Sequence, residues 1–264
     1  MPGLRLAANI SFLFADLPFA DRFGAAARAG FAGVECLFPY DELPARDYAR
    51  HLDEHGLSAA LINVPPGDWA GGERGLAALP GREADFYESV DRALDYADAI
   101  DCPRLHCLAG VPGPDADTLA VAETYAANLS YAADRARDLG MRMLIEPINT
   151  GDMPGYHLSS PARALEILGQ LALPNLALQY DLYHAEIIAE QKPADFIADH
   201  IDAIGHVQVA GVPERNEPDG AAPDVAAAFD ALEGAGYGGW IGLEYRPRGN
   251  TIDGLGWASN WLRR

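Results

Sequence analysis

The chain is nearly devoid of lysine: Lys192 is the only one in 264 residues, beside Pro193 in a polar stretch that reads as a helix start. Schiff-base catalysis needs a desolvated lysine at a strand end, so that class is excluded. Cysteine is scarce too. Cys36, Cys102 and Cys107 form an odd count, and small thiols in or near strand-like runs imply a reduced compartment, the cytoplasm, rather than a disulfide framework. No apolar run approaches the roughly 18 residues needed to cross a bilayer. The opening LRLAANISFLF is broken by Asn9 and Ser11 and reads as a first strand, not as a secretory leader. Basic residues number 19 against 39 acidic ones, a formal charge of -20. Such a field repels phosphate backbones and anionic lipids, which argues against nucleic-acid and membrane partners while leaving room for a small anionic substrate met by local arginines. There is no GxSxG elbow, P-loop or CxxC, and Gly254–Gly256 comes too late to open a nucleotide fold, so nothing asks for an organic cofactor.

What the chain does have is repetition. Eight short β-rich runs recur: Leu6–Ser11, Gly33–Phe38, Ala59–Val64, Arg104–Leu108, Arg142–Ile148, Leu176–Asp181, Gly205–Val209 and Trp240–Tyr245. Helical patterns separate most of them. Asp85–Ile100 and Leu119–Leu139 are alanine-rich with apolar residues three and four apart, and the second closes on Gly140 as a helix end does. Repeated strand–helix–Gly–strand units build a parallel sheet, and eight of them close a barrel. The length suits one such barrel of roughly 250 residues. The predicted fold is therefore α/β, a (β/α)8 TIM barrel, with residues 1–264 as a single domain. Pro65 to Arg82 is too long for a simple connection and carries Trp69 among glycines, which predicts a lid. NTGDMPGYHL, after the fifth run, is a second candidate lid.

Glu146, Asp181, Gln208 and Glu244 each end a strand-like run, about 27 to 36 residues apart, or one or two βα units. In a parallel barrel all strand C-termini open on one face, so these four converge. Three carboxylates and an amide oxygen form an all-oxygen set, which suits a hard divalent metal, Mg2+ or Mn2+, rather than zinc. Glu146 and Glu244, facing each other across the mouth, form a proton donor/acceptor pair able to move a proton between adjacent carbons through an enediolate. His184 lies in the turn after Asp181, and His206 shares the side of the seventh strand with Gln208. Arg215, Arg246 and Arg248 are the cations placed to meet a substrate carboxylate or hydroxyl. Phe38, Tyr40 and Tyr156 are expected to complete an apolar wall.

These residues fall within longer motifs. PPGDWAGGERGLAALPGRE, EPINTGDMPGYHL, QYDLYHAEI and GHVQVAGVPERNEP together closely resemble hydroxypyruvate isomerases of the xylose isomerase-like barrel superfamily, over nearly the whole chain. The resemblance implies a metal held by Glu146, Asp181, Gln208 and Glu244, catalysis by Glu146 and Glu244, and substrate contacts from Asp152, His184 and Arg215, with His206 and Trp69 as further substrate-binding candidates. It implies interconversion of hydroxypyruvate and 2-hydroxy-3-oxopropanoate, with 2-oxo-tetronate isomerisation as the alternative and ketose 3-epimerisation behind it, since 3-epimerases usually carry His where Gln208 stands. The chain departs from the family at Ala210-Gly211 and Arg215-Asn216, where Ala-Asp and Arg-His are frequent. The expected partner is a small hydroxy-oxo acid, and a homo-oligomer is compatible with the sequence.

Overall fold

The computed structural model describes residues 3–220 and 222–262. Its eight strands are β1 (Arg5–Asn9), β2 (Gly33–Cys36), β3 (Ser58–Asn63), β4 (Arg104–His106), β5 (Arg142–Ile145), β6 (Leu176–Asp181), β7 (Ile204–Val209) and β8 (Trp240–Leu243). They pair in parallel in chain order, and β8 closes on β1. The predicted (β/α)8 barrel is what forms. β5 and β8 run shorter than the β-rich stretches of sequence, so Glu146 and Glu244 sit one residue beyond them rather than within them.

Between the strands lie α1 (Phe19–Arg28), α2 (Ala45–His55), α3 (Glu83–Ala99), α4 (Thr118–Asp138), α5 (Pro161–Leu171), the pair α6 (Leu182–Ile188) and α7 (Pro193–His200), and α8 (Val225–Gly234). A short α9 (Thr251–Gly254) follows β8. Local chemistry sets several ends. Asp117 accepts the Leu119 and Ala120 N–H groups to start α4, and Ser160 caps α5 ahead of Pro161, whose missing N–H costs nothing at that position. Left-handed Gly140 ends the α4 unit where the sequence predicted. α7 begins at Pro193, where the sequence read a helix start; the end of α6 was not legible and falls at Ala189, whose left-handed conformation stops it.

All three cysteines are free and buried, as expected of structural thiols. Inside the barrel, the apolar plug of Ala7, Ala60 and Trp240 is capped by the Arg5 guanidinium, 4.4 Å from the Trp240 ring. Farther along the axis the interior is polar. The fully buried Glu35 carboxylate accepts from Asn9 Nδ2 at 3.1 Å and Gln208 Nε2 at 2.8 Å, and pairs with His206 Nε2 at 2.7 Å. Gly242 on β8 leaves the space this carboxylate fills, because a Cβ there would strike Glu35. Gly242→Ala should therefore destabilise the fold by about 1–3 kcal/mol. Thermal melting reads this directly, and an unchanged midpoint would contradict the crowding described.

Candidate active site

At the C-terminal end of the barrel a cavity of about 480 Å³ opens, lined by Glu146, Glu244, Asp152, His184, His106 and Arg215 among others. That is a size typical of small-molecule sites, roughly 300–1,000 Å³. Glu146, Asp181 and Glu244 arrive from the ends of β5, β6 and β8, as the repeat pattern predicted. Asp181 ends β6, caps α6 by accepting the Tyr183 N–H at 2.9 Å, and turns its other oxygen toward the site.

Arg215 organises the carboxylates. Its Nη2 lies 3.2 Å from Asp181 Oδ2 and 3.4 Å from Glu244 Oε2, and its guanidinium stands 4.9 Å from the Tyr183 ring centre. Its backbone adopts φ 55°, a left-handed conformation unfavourable for a side chain of this size. The Arg246 N–H, donating to the Arg215 carbonyl at 2.8 Å, helps hold that turn. Glu244 thus finds its cationic partner in Arg215.

His184 is fixed by Asn149. The Asn149 amide oxygen accepts the Asp152 N–H at 2.9 Å, so its NH2 faces His184 Nδ1 at 2.7 Å, and Nδ1 also receives the Asn149 backbone N–H. Nδ1 is therefore an acceptor, and the proton of the neutral ring sits on Nε2, 3.7 Å from Asp181 Oδ2. Although donor atoms of Glu146, Asp181 and His184 lie within 4.8 Å of one another, this tautomer makes His184 a hydrogen-bond donor into the cavity rather than a ligand.

Burial and like charge shape the titration. The Glu146 carboxyl is pushed well above its ordinary range by burial first, then by Glu244 and Asp181. Burial drives Glu244 up to about 8 and Asp181 to about 6, with Arg215 opposing both shifts. Burial also keeps His184 neutral, with Arg215 and then His106 adding to the effect, and takes His106 down to about 3. Glu146 Oε1 is buried without a hydrogen-bond partner. An orphaned carboxylate oxygen beside two more carboxylates, one guanidinium between them, is a donor set suited to a hard divalent cation.

The structure brings Glu146, Glu244, Asp152, His184, Arg215 and Trp69 to one cavity; of the other three candidates, Asp181 does not line the wall itself but meets Arg215 at 3.2 Å, and two lie beneath. Gln208 spans from Glu35 to Gln179, accepting from Gln179 Nε2 at 2.6 Å, and does not line the cavity wall. His206 is fully buried against Glu35, which separates it from substrate. Arg248 binds Asp219 at 2.9 Å, outside the cavity. Of the expected apolar wall only Phe38 lines it: the Tyr40 hydroxyl bonds the Asn63 carbonyl, and Tyr156 is buried with its oxygen on the Ala109 N–H. Trp69 reaches the cavity from the first lid, 5.4 Å from Phe38 and 4.2 Å beneath the Arg74 guanidinium. Gly75 fastens this lid in an antiparallel bridge to Ala109, at φ 117° and so close to Leu108 that no side chain fits. Glu35, His106, Asn149 and Arg74 escaped the sequence reading. Glu35 alone had a usable signal, a carboxylate inside the apolar run GVEC.

The chain matches the xylose isomerase-like TIM barrel family over residues 23–264 and belongs to it. It is 49% identical over 260 residues to a 2-oxo-tetronate isomerase of Cupriavidus necator, covering 98% of this chain and 99% of the relative. It is 39% identical over 254 residues to the hydroxypyruvate isomerase of Escherichia coli, covering 96% and 98%. Among solved structures, one from Brucella melitensis described as an AP endonuclease of family 2 superposes with a TM-score of 0.94 at 46% identity, over 99% of this chain and all of that one. The E. coli 3-keto-D-glucoside 4-epimerase shares the fold, at TM-score 0.80 and 19% identity over 98% of this chain and 100% of that one.

The raised carboxylates give a testable stability signature. Glu244 titrates near 8 in the fold against about 4.3 when unfolded, so its contribution is complete below the unfolded value and is lost as pH climbs through 8. Chelator-treated protein should lose stability relative to its Glu244→Gln variant as pH rises from about 5 to about 9. A difference between the two melting curves that stays flat across that range would contradict the assignment.

Proposed function

We propose that this isomerase moves a carbonyl between C2 and C3 of a short 2-oxo acid, with 2-oxo-tetronate the favoured substrate and hydroxypyruvate the second. The observation that carries the reading is the buried pair Glu146 and Glu244 on one cavity, both with raised proton affinity and Arg215 bound to Glu244. Sequence alone put hydroxypyruvate first. The relatives at 49% and 44% identity, both 2-oxo-tetronate isomerases, favour the four-carbon acid, and the cavity has room for it.

Glu146, Asp181 and Glu244 would hold a divalent cation, Mg2+ or Mn2+, with the remaining lone pair of Gln208 Oε1 as the neutral fourth ligand. When bound, such a cation polarises the C2 carbonyl and the C3 hydroxyl and so acidifies the C3 proton. One glutamate carboxylate takes that proton. The C3–H electron pair forms the C2=C3 double bond, and the C2 carbonyl electrons move onto oxygen, giving an enediolate. The C3 hydroxyl proton then passes to the C2 oxygen, C3=O forms, and C2 takes a proton from a glutamic acid. No atom is gained or lost. Arg215, beside Asp181 and Glu244, steadies the changing charge, while neutral His184 offers its Nε2–H to a substrate oxygen. Trp69 and its lid exclude water from the enediolate.

The endonuclease description of the Brucella relative carries less weight here, because a formal charge of -20 opposes a DNA backbone. Glu146→Gln and Glu244→Gln should each lower kcat at least about 100-fold, with substrate affinity retained. Proton NMR in D2O checks this: wild type loses the C3 proton signal of 2-oxo-tetronate or hydroxypyruvate only when Mg2+ or Mn2+ is supplied, and the variants do not. Full turnover in chelator would overturn the metal assignment, and exchange at wild-type rate in both variants would overturn the glutamate pair.

A further inference from the structure

We infer that Arg246 seats the substrate's carboxylate and is the residue by which the site selects a 2-oxo acid over a neutral ketose; the inference rests on the isomerase reading above. Three arginines line the cavity: Arg74, Arg215 and Arg246. Two are already engaged. Arg215 is shared between Asp181 and Glu244. Arg74 gives Nη1 to the carbonyls of Trp69, at 3.0 Å, and Glu73, at 2.7 Å, and lies against the Trp69 ring, which commits it to shaping the lid.

Arg246 differs from both. Among the described residues its guanidinium forms no salt bridge and no hydrogen bond; it stands 5.6 Å from the centre of the Phe12 ring and acts on Glu244 only through its charge at longer range. Its main chain is nonetheless pinned on both sides. The N–H donates to the Arg215 carbonyl at 2.8 Å, and the carbonyl accepts from Asn216 Nδ2 at 2.7 Å. Arg246 and Arg248 are both exposed, but only Arg246 stands on the cavity wall; Arg248, two residues on, lies outside it and is satisfied by Asp219.

Electrostatics supplies the demand. The cavity wall carries four acids, Glu146, Asp152, Glu214 and Glu244, in a chain of formal charge -20. A cation shared with the metal-binding acids cannot also neutralise a substrate carboxylate, so an incoming acid needs a guanidinium of its own. Arginine meets a carboxylate with two parallel N–H donors, and the Phe12 face orients the fork without competing for those donors. Arg246 also stands two residues beyond Glu244 on the same chain segment. A carboxylate bound there would leave C2, the carbon bonded to it, toward the glutamates.

The test compares the wild type with Arg246→Gln and Arg246→Lys, each loaded with Mn2+. Calorimetry measures binding of erythronate, a four-carbon hydroxy acid with no carbonyl to isomerise, against erythritol, its neutral counterpart. Steady-state kinetics measures the ratio of kcat/KM for 2-oxo-tetronate to that for erythrulose, the ketose with CH2OH in place of the carboxylate. The wild type should prefer erythronate. Arg246→Gln should erase that preference and lower the acid-to-ketose ratio about 10- to 100-fold, chiefly through KM, with Arg246→Lys between them and the melting temperature unmoved. Acid and neutral ligands weakening together would mark a structural role and overturn the inference, as would an erythronate preference that survives in Arg246→Gln. If the wild type isomerises no acid yet its erythronate preference still vanishes in Arg246→Gln, the carboxylate site stands and the isomerase reading fails.

Discussion

Three carboxylates converge in a space from which water is largely excluded, and much of the site follows from the cost of keeping them there. Glu146, Asp181 and Glu244 are all buried, and burial raises the proton affinity of each, with Glu244 and Asp181 adding to it at Glu146 and Asp181 at Glu244. Arg215 answers part of that charge, at the expense of a left-handed backbone conformation. One guanidinium cannot neutralise three carboxylates. The balance is met by protonation or by a divalent cation, and the proposed chemistry depends on that choice. A group that holds a proton near neutral pH and releases it when a cation enters is one that can also exchange a proton with carbon.

The barrel prepares this cluster from below. Glu35, Asn9, Gln179, His206 and Gln208 form a buried chain of hydrogen bonds across β1, β2, β6 and β7. A polar layer inside a barrel is stabilising only when its members satisfy one another, and here the Gly242 gap gives the Glu35 carboxylate its room. The layer fixes which way the Gln208 amide points. Above, Asn149 sets the His184 tautomer in the same manner, so ring and amide orientation both come from neighbours rather than from the groups facing the cavity.

The architecture and the carboxylates were legible in sequence because both depend on chain-order repetition. Four strand tips are marked by a polar residue at the end of an apolar run, Glu146, Asp181, Gln208 and Glu244, and a closed parallel barrel gathers the tips whatever the loops do. The depth of His206 and Gln208 and the surroundings of Arg248 were less legible, since a residue's side of a strand can be read from alternation but its depth along the barrel axis cannot. His206 and Gln208 do share a side, yet both lie below the cavity on Glu35. The cation partner of Glu244 was equally hidden: Arg246 is near in sequence, but the left-handed turn at Arg215 delivers the more distant arginine.

The most direct test of this electrostatic account is a calorimetric titration of Mn2+ into chelator-treated protein at about pH 7 in two buffers of different ionisation enthalpy, which counts ions bound and protons released together. The account predicts one Mn2+ per chain, protons leaving the carboxylate cluster as it binds, and loss of that binding in Asp181→Asn. Absence of stoichiometric binding, or binding with no proton release, would contradict it.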